Sequence, residues 1–106
     1  MRSHVVSRKP IAERLSAPTP REVRCARERA GLTQSEAAQL ISPSAARPFR
    51  TWQNYEIAAG QPGARKIPLP VWELFLLMTD QHPGMLLTAR PPGSEPLRFI
   101  SWRAIS

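Results

Sequence analysis

The sequence predicts an all-α fold, and three observations carry that prediction. Helix-start signals recur at Thr19-Pro20-Arg21-Glu22, Thr33-Gln34-Ser35-Glu36 and Arg47-Pro48. Apolar residues follow each start at helical spacing. Twelve prolines stand against five glycines, and most of the prolines lie outside residues 32–59. The central stretch reads as two short helices joined by a turn, and the prolines mark flanking segments that are extended or loosely ordered. At 106 residues and 42% hydrophobic, the chain has the size of one domain with an adequate core.

Residues 1–19 carry Arg2, Arg8, Lys9 and Arg14 among small apolar residues. Only a short helix fits, around Ile11 to Leu15, before Pro18 and Pro20 stop it. The expectation is a flexible basic arm, either tracking a phosphate backbone or minor groove or simply solvated. The helical domain then spans residues 20–83. Its first helix opens on the Thr19–Glu22 capping box, buries Val23, Ala26 and Ala30, and stops at Gly31. Arg21, Arg24, Arg27 and Arg29 fall on its other sides, and Cys25 falls off the apolar face.

A second capping box, Thr33 to Glu36, starts a helix whose buried stripe is Ala37, Leu40 and Ile41. Residues 42–47, SPSAAR, form a turn, and Pro48 suits the first position of the next helix. On a helical wheel Phe49, Trp52, Tyr55, Glu56 and Ala59 share one side, expected to be core. Arg47, Arg50 and Asn54 lie opposite, with Gln53 on the flank. Arg makes two bonds to guanine, and Gln or Asn two to adenine, so this front matches the chemistry of base readout.

Residues 60–66, GQPGARK, are a loop whose Arg65 and Lys66 suit phosphate or plain solvation. The helix VWELFLLM is apolar nearly all round. Val71, Leu74, Phe75 and Met78 are expected to face the bundle. Trp72, Leu76 and Leu77 are left for a subunit interface or a seat for the C-terminal segment. His82-Pro83-Gly84 ends the helical part. In residues 84–106, the runs 85–90 (MLLTAR) and 97–103 (LRFISWR) are β-prone, either a hairpin or a strand added to a second subunit.

The net charge is +7, from 15 Lys+Arg against 8 Asp+Glu, and thirteen of the cations are Arg. Arg dominance matches bidentate contacts to phosphate and guanine, although a GC-biased genome produces the same ratio. The charge itself points to a nucleic acid partner. A single cysteine excludes an intramolecular disulfide and a Cys-rich zinc site. One Cys, two distant His and the lack of an acid cluster or glycine-rich phosphate loop argue against an enzyme, and no cofactor or metal is expected. No apolar run has membrane-span length and no signal peptide is evident, so a soluble, cytoplasmic protein is expected.

Three pieces in this order, TPREVRCARERAGLTQSEAAQLI, RTWQNYE and IPLPVWELFLLMT, resemble the lambda-repressor-like (Cro/XRE) helix-turn-helix regulators. RTWQNYE and PLPVWELF look, more narrowly, like small phage and plasmid regulators, among them anti-CRISPR-associated repressors. The resemblance covers about residues 20 to 83. It implies a bundle of about five helices, the second over the DNA backbone and the third in the major groove. By position, Arg50, Thr51, Gln53 and Asn54 would read bases. Gln34 would contact phosphate at the start of the second helix, and Trp52 and Tyr55 would take buried places; Thr33, Arg47, Arg65 and Lys66 are the further phosphate candidates, Arg47 depending on where the third helix starts. Glu56 matches a family acid that supports the following loop. The implied protein is a homodimeric autorepressor on double-stranded operator DNA. The other reading is an antitoxin or protein-interaction module using residues 84–106. One departure stands out: SPSAARPFR makes the turn about four residues longer than the family's, so either the third helix starts earlier or the turn bulges.

Overall fold

A computed structural model of the chain describes residues 9–41 and 48–93, of Pro48 only the backbone. Five helices follow in order: α1 (Ile11–Arg14), α2 (Pro20–Arg29), α3 (Gln34–Ile41), α4 (Pro48–Tyr55) and α5 (Leu69–Met78). The described residues contain no strand, and no helix among them is long and apolar enough to cross a membrane.

The helix boundaries follow local chemistry. At α2, Glu22 N–H donates to the Thr19 hydroxyl (3.1 Å), and Thr19 N–H donates back to the Glu22 carboxylate (2.9 Å). Thr33 and Glu36 repeat the exchange at α3, at 2.9 and 3.0 Å. α2 ends with Gly31 at φ 75°. Leu32 N–H then reaches Arg27 C=O, and Gly31 N–H reaches Glu28 C=O. α5 closes with the same bond pattern, Gln81 to Leu76 and Asp80 to Leu77. There the left-handed residue is Asp80, at φ 58°.

Trp52, Phe75 and Val23 are the largest fully buried side chains. Trp52 lies 4.8 Å from Phe75 between ring centroids, tilted by 48°, and meets Tyr55 edge-on at 5.9 Å. Ala37 and Ala38 of α3 are fully buried, and their small side chains let neighbouring helices approach closely.

The helix count agrees with the expected five once the single turn α1 is included, and no helix follows α5 among the described residues. On α4 and α5 the structure departs from the sequence expectations. Within α5, Leu74 and Met78 are exposed, whereas Trp72 and Leu76 are buried in the chain's own core and Leu77 is half-buried. The cause is the stretch before α2, which packs on the side of α5 that the sequence left open. Leu15 is buried in the same cluster as Trp72 and Leu76. Trp72 and Leu76 therefore cannot serve as an exposed dimer surface. Phe49, expected in the core, is 44% exposed, because only Trp52 and Tyr55 of α4 turn fully inward. Residues 85–90 form no strand, and Leu86 and Leu87 are exposed. The arm residues 1–8, the turn 42–47 with Arg47, and the run 97–103 lie outside the described residues.

Residues 9–19 are tied to the domain by charge as well as by packing. Arg14 forks onto Glu73, Nη2 to Oε1 at 2.8 Å and Nε to Oε2 at 2.9 Å, while Nη1 donates to the Lys9 carbonyl. From the other end of the domain, His82 Nε2 meets Glu73 Oε2 at 2.8 Å, with its side chain 1% exposed. The N–H groups of Gly84 and Met85 both point at His82 Nδ1, at 3.0 Å. That ring nitrogen therefore carries the lone pair, and Nε2 carries the hydrogen donated to Glu73. The Arg14 fork, opposed by burial, holds the Glu73 carboxyl down to about 2.

Candidate nucleic-acid interface

α3 and α4 are joined at their base by one carboxylate. Glu56, one residue past α4, accepts four hydrogen bonds from three helices. Arg27 of α2 donates through Nε (2.6 Å) and Nη2 (3.1 Å), Trp52 of α4 through Nε1 (2.6 Å), and Gln34 of α3 through Nε2 (3.0 Å). Arg27 also donates to Leu32 C=O at 3.0 Å, tying the α2–α3 turn into the same group. The Glu56 side chain is 6% exposed. Burial pushes its carboxyl up, and the bonds from Arg27, Trp52 and Gln34 outweigh burial, leaving it below the ordinary carboxylate range. The same contact raises the Arg27 guanidinium, so the pair is fully ionised at neutral pH.

With α4 held in this way, its four candidate base-reading residues are unequally presented. Arg50 is exposed, whereas Thr51, Gln53 and Asn54 are half-buried. The Asn54 carbonyl accepts from Ile57 N–H (3.3 Å) and Arg65 N–H (3.1 Å), so it anchors the loop that follows α4. Gly63, at φ 87°, lies over Asn54 and Ile57; a Cβ there would stand 3.3 Å from Ile57 Cδ1. This close turn sets Arg65 and Lys66 on the exposed rim of the loop.

The candidate phosphate contacts divide in the same way. Arg65 and Lys66 are exposed. The Thr33 hydroxyl accepts the capping bond at the head of α3. Gln34 is half-buried, with one amide N–H committed to Glu56. Arg27, Arg14 and Glu73 were missed as structural residues by the sequence reading. Glu73 did leave a signal, as the one charge inside the apolar run VWELFLLM. Arg27 left none, because it is one of four arginines along α2 and its partner lies 29 residues away.

Comparison of the chain with models of known families, with curated proteins and with solved structures gave no match.

Proposed function

We propose that the chain is a sequence-specific DNA-binding regulator of the helix-turn-helix type, with α3 as the positioning helix and α4 as the reading helix. The observation that carries this reading is the Glu56 group. It locks the base of α4 to α2 and α3 through Arg27, Gln34 and Trp52 and leaves the opposite edge, led by Arg50, toward solvent. A reading helix needs such bracing, because base-edge hydrogen bonds tolerate little angular error. The +7 charge and the exposed Arg65 and Lys66 supply the electrostatic part. The protein would act in the cytoplasm as a homodimeric repressor on an inverted repeat in its own promoter. The half-sites would lie roughly 34 Å apart.

The experiment is a footprint of the full chain on the DNA upstream of its own gene at moderate salt. A protected inverted repeat is expected; an unprotected promoter would overturn the autoregulator. A second reading, a partner-binding module such as an antitoxin, draws on the exposed Leu86 and Leu87 beyond α5. A second polypeptide that co-purifies and is lost on deleting residues 84–106 would favour it.

A further inference from the structure

A cavity of about 380 Å³ lies behind the 56–67 loop, between that loop, the stretch before α2 and the first turns of α2. Its wall is mainly apolar, from Pro18, Pro20, Val23, Ile57 and Ile67, and its volume falls in the range of small-molecule sites. Three polar features interrupt the wall. Arg65 and Lys66 stand at its edge, exposed and without an ion-pair partner among the described residues. Tyr55 lines the cavity as well. Its ring is buried in the core, and its hydroxyl makes no hydrogen bond among the described residues. Burial pushes the Tyr55 phenol up, only partly offset by the nearby Arg65 charge, so the group keeps its proton and acts as a donor.

We infer that this cavity binds a small apolar carboxylic acid, its tail against Val23, Ile57 and Ile67 and its carboxylate between the Tyr55 hydroxyl and the Arg65 and Lys66 cations. The chemistry selects both halves of the ligand. A bare inorganic anion leaves the apolar wall wet, and a neutral apolar molecule leaves the phenol and the two cations unanswered. Occupancy would also draw Arg65 and Lys66 away from phosphate. This regulatory step rests on the DNA-binding reading above, whereas the site itself does not.

The test is calorimetry on the full chain without DNA, using sodium octanoate, 1-octanol and inorganic phosphate as probes. Octanoate is expected to bind saturably at one site, at least about tenfold tighter than octanol or phosphate. Ala64→Leu, which places a larger side chain on the cavity wall, is expected to abolish the heat. The exposed pair Arg65→Gln with Lys66→Gln is expected to weaken octanoate and leave octanol unchanged. The pair serves as the control if Ala64→Leu fails to fold. No saturable heat, equal binding of octanol and octanoate, or undiminished binding in the Arg65 and Lys66 double variant would overturn the site. With a protected DNA fragment in hand, saturating octanoate is expected to weaken its binding about fivefold or more. Octanoate binding with unchanged DNA affinity overturns the regulatory step alone. Failure to bind DNA at all overturns the proposed function and leaves the calorimetric result standing.

Discussion

Arg27 and Glu56, 29 residues apart in the chain, meet as a two-bond fork with both side chains nearly closed to solvent, at 14% and 6% exposure. Two charges in such a place stabilise only as a pair, because each alone would keep its desolvation cost without the other's attraction. Glu56→Gln is therefore expected to destabilise the fold by about 3 kcal/mol in urea unfolding. The exposed Arg24–Glu28 pair, at 3.5 Å, provides the contrast. Glu28→Gln is expected to cost less than about 0.5 kcal/mol. Equal losses for the two variants would remove the special standing of Glu56.

Acid should loosen the domain through its two buried carboxylates. Glu73 is held down to about 2 and Glu56 also lies below its ordinary value, so both bind protons more weakly folded than unfolded. Their contribution is complete above the unfolded value, 4.5, and is lost as pH falls from there toward the folded values. The share of the thermal midpoint owed to these two carboxylates should be level from neutral pH down to about 5 and then decline. Glu73→Gln should lower the midpoint at neutral pH and flatten the decline between 4.5 and about 2. A slope in that variant as steep as the parent's would assign the acid loss elsewhere.

The two similar helix ends make a backbone prediction. Gly31 and Asp80 both sit in the left-handed region, at φ 75° and 58°, but only glycine does so without a Cβ penalty. Asp80→Gly should raise stability by about 0.5 kcal/mol. Gly31→Ala, with open space where its Cβ would go, should lower it by about 1 kcal/mol through φ alone. Chemical denaturation of both variants reads the two signs, and a destabilised Asp80→Gly would show that the aspartate side chain contributes more than its backbone strain costs.

On DNA, Arg50→Ala is expected to cost about 1–3 kcal/mol on the preferred site and to relax preference at one base pair. Lys66→Gln should instead weaken all sequences alike and reduce the salt dependence by about one ion. Competition binding against random duplex at two salt concentrations separates these outcomes. An Arg50→Ala protein with the parent's ratio of specific to random binding would remove Arg50 from the reading set.

Local chemistry was legible where it acts over a few residues. Both capping boxes and the Gly31 stop are written in patterns of a few residues, and the structure uses each of them. The long turn expected at residues 42–47 lies outside the described residues, which resume at Pro48 within α4. Periodicity was weaker on α5. A helix apolar nearly all round has no sequence signal for which face turns inward. Its inner faces were decided by Leu15 and Arg14, which arrive from outside the expected domain boundary.

From the sequence alone came the helical class, most of the helix ends and the basic character, because propensity, capping and net charge are properties of short stretches or of simple sums. The tertiary structure decided which charges are structural and which are presented. Glu56 gathers Arg27, Gln34 and Trp52, and Glu73 gathers Arg14 and His82. Desolvation and pairing depend on groups far apart in the chain meeting in one place, so the sequence pattern could not distinguish the paired arginines Arg14 and Arg27 from the exposed Arg50 and Arg65.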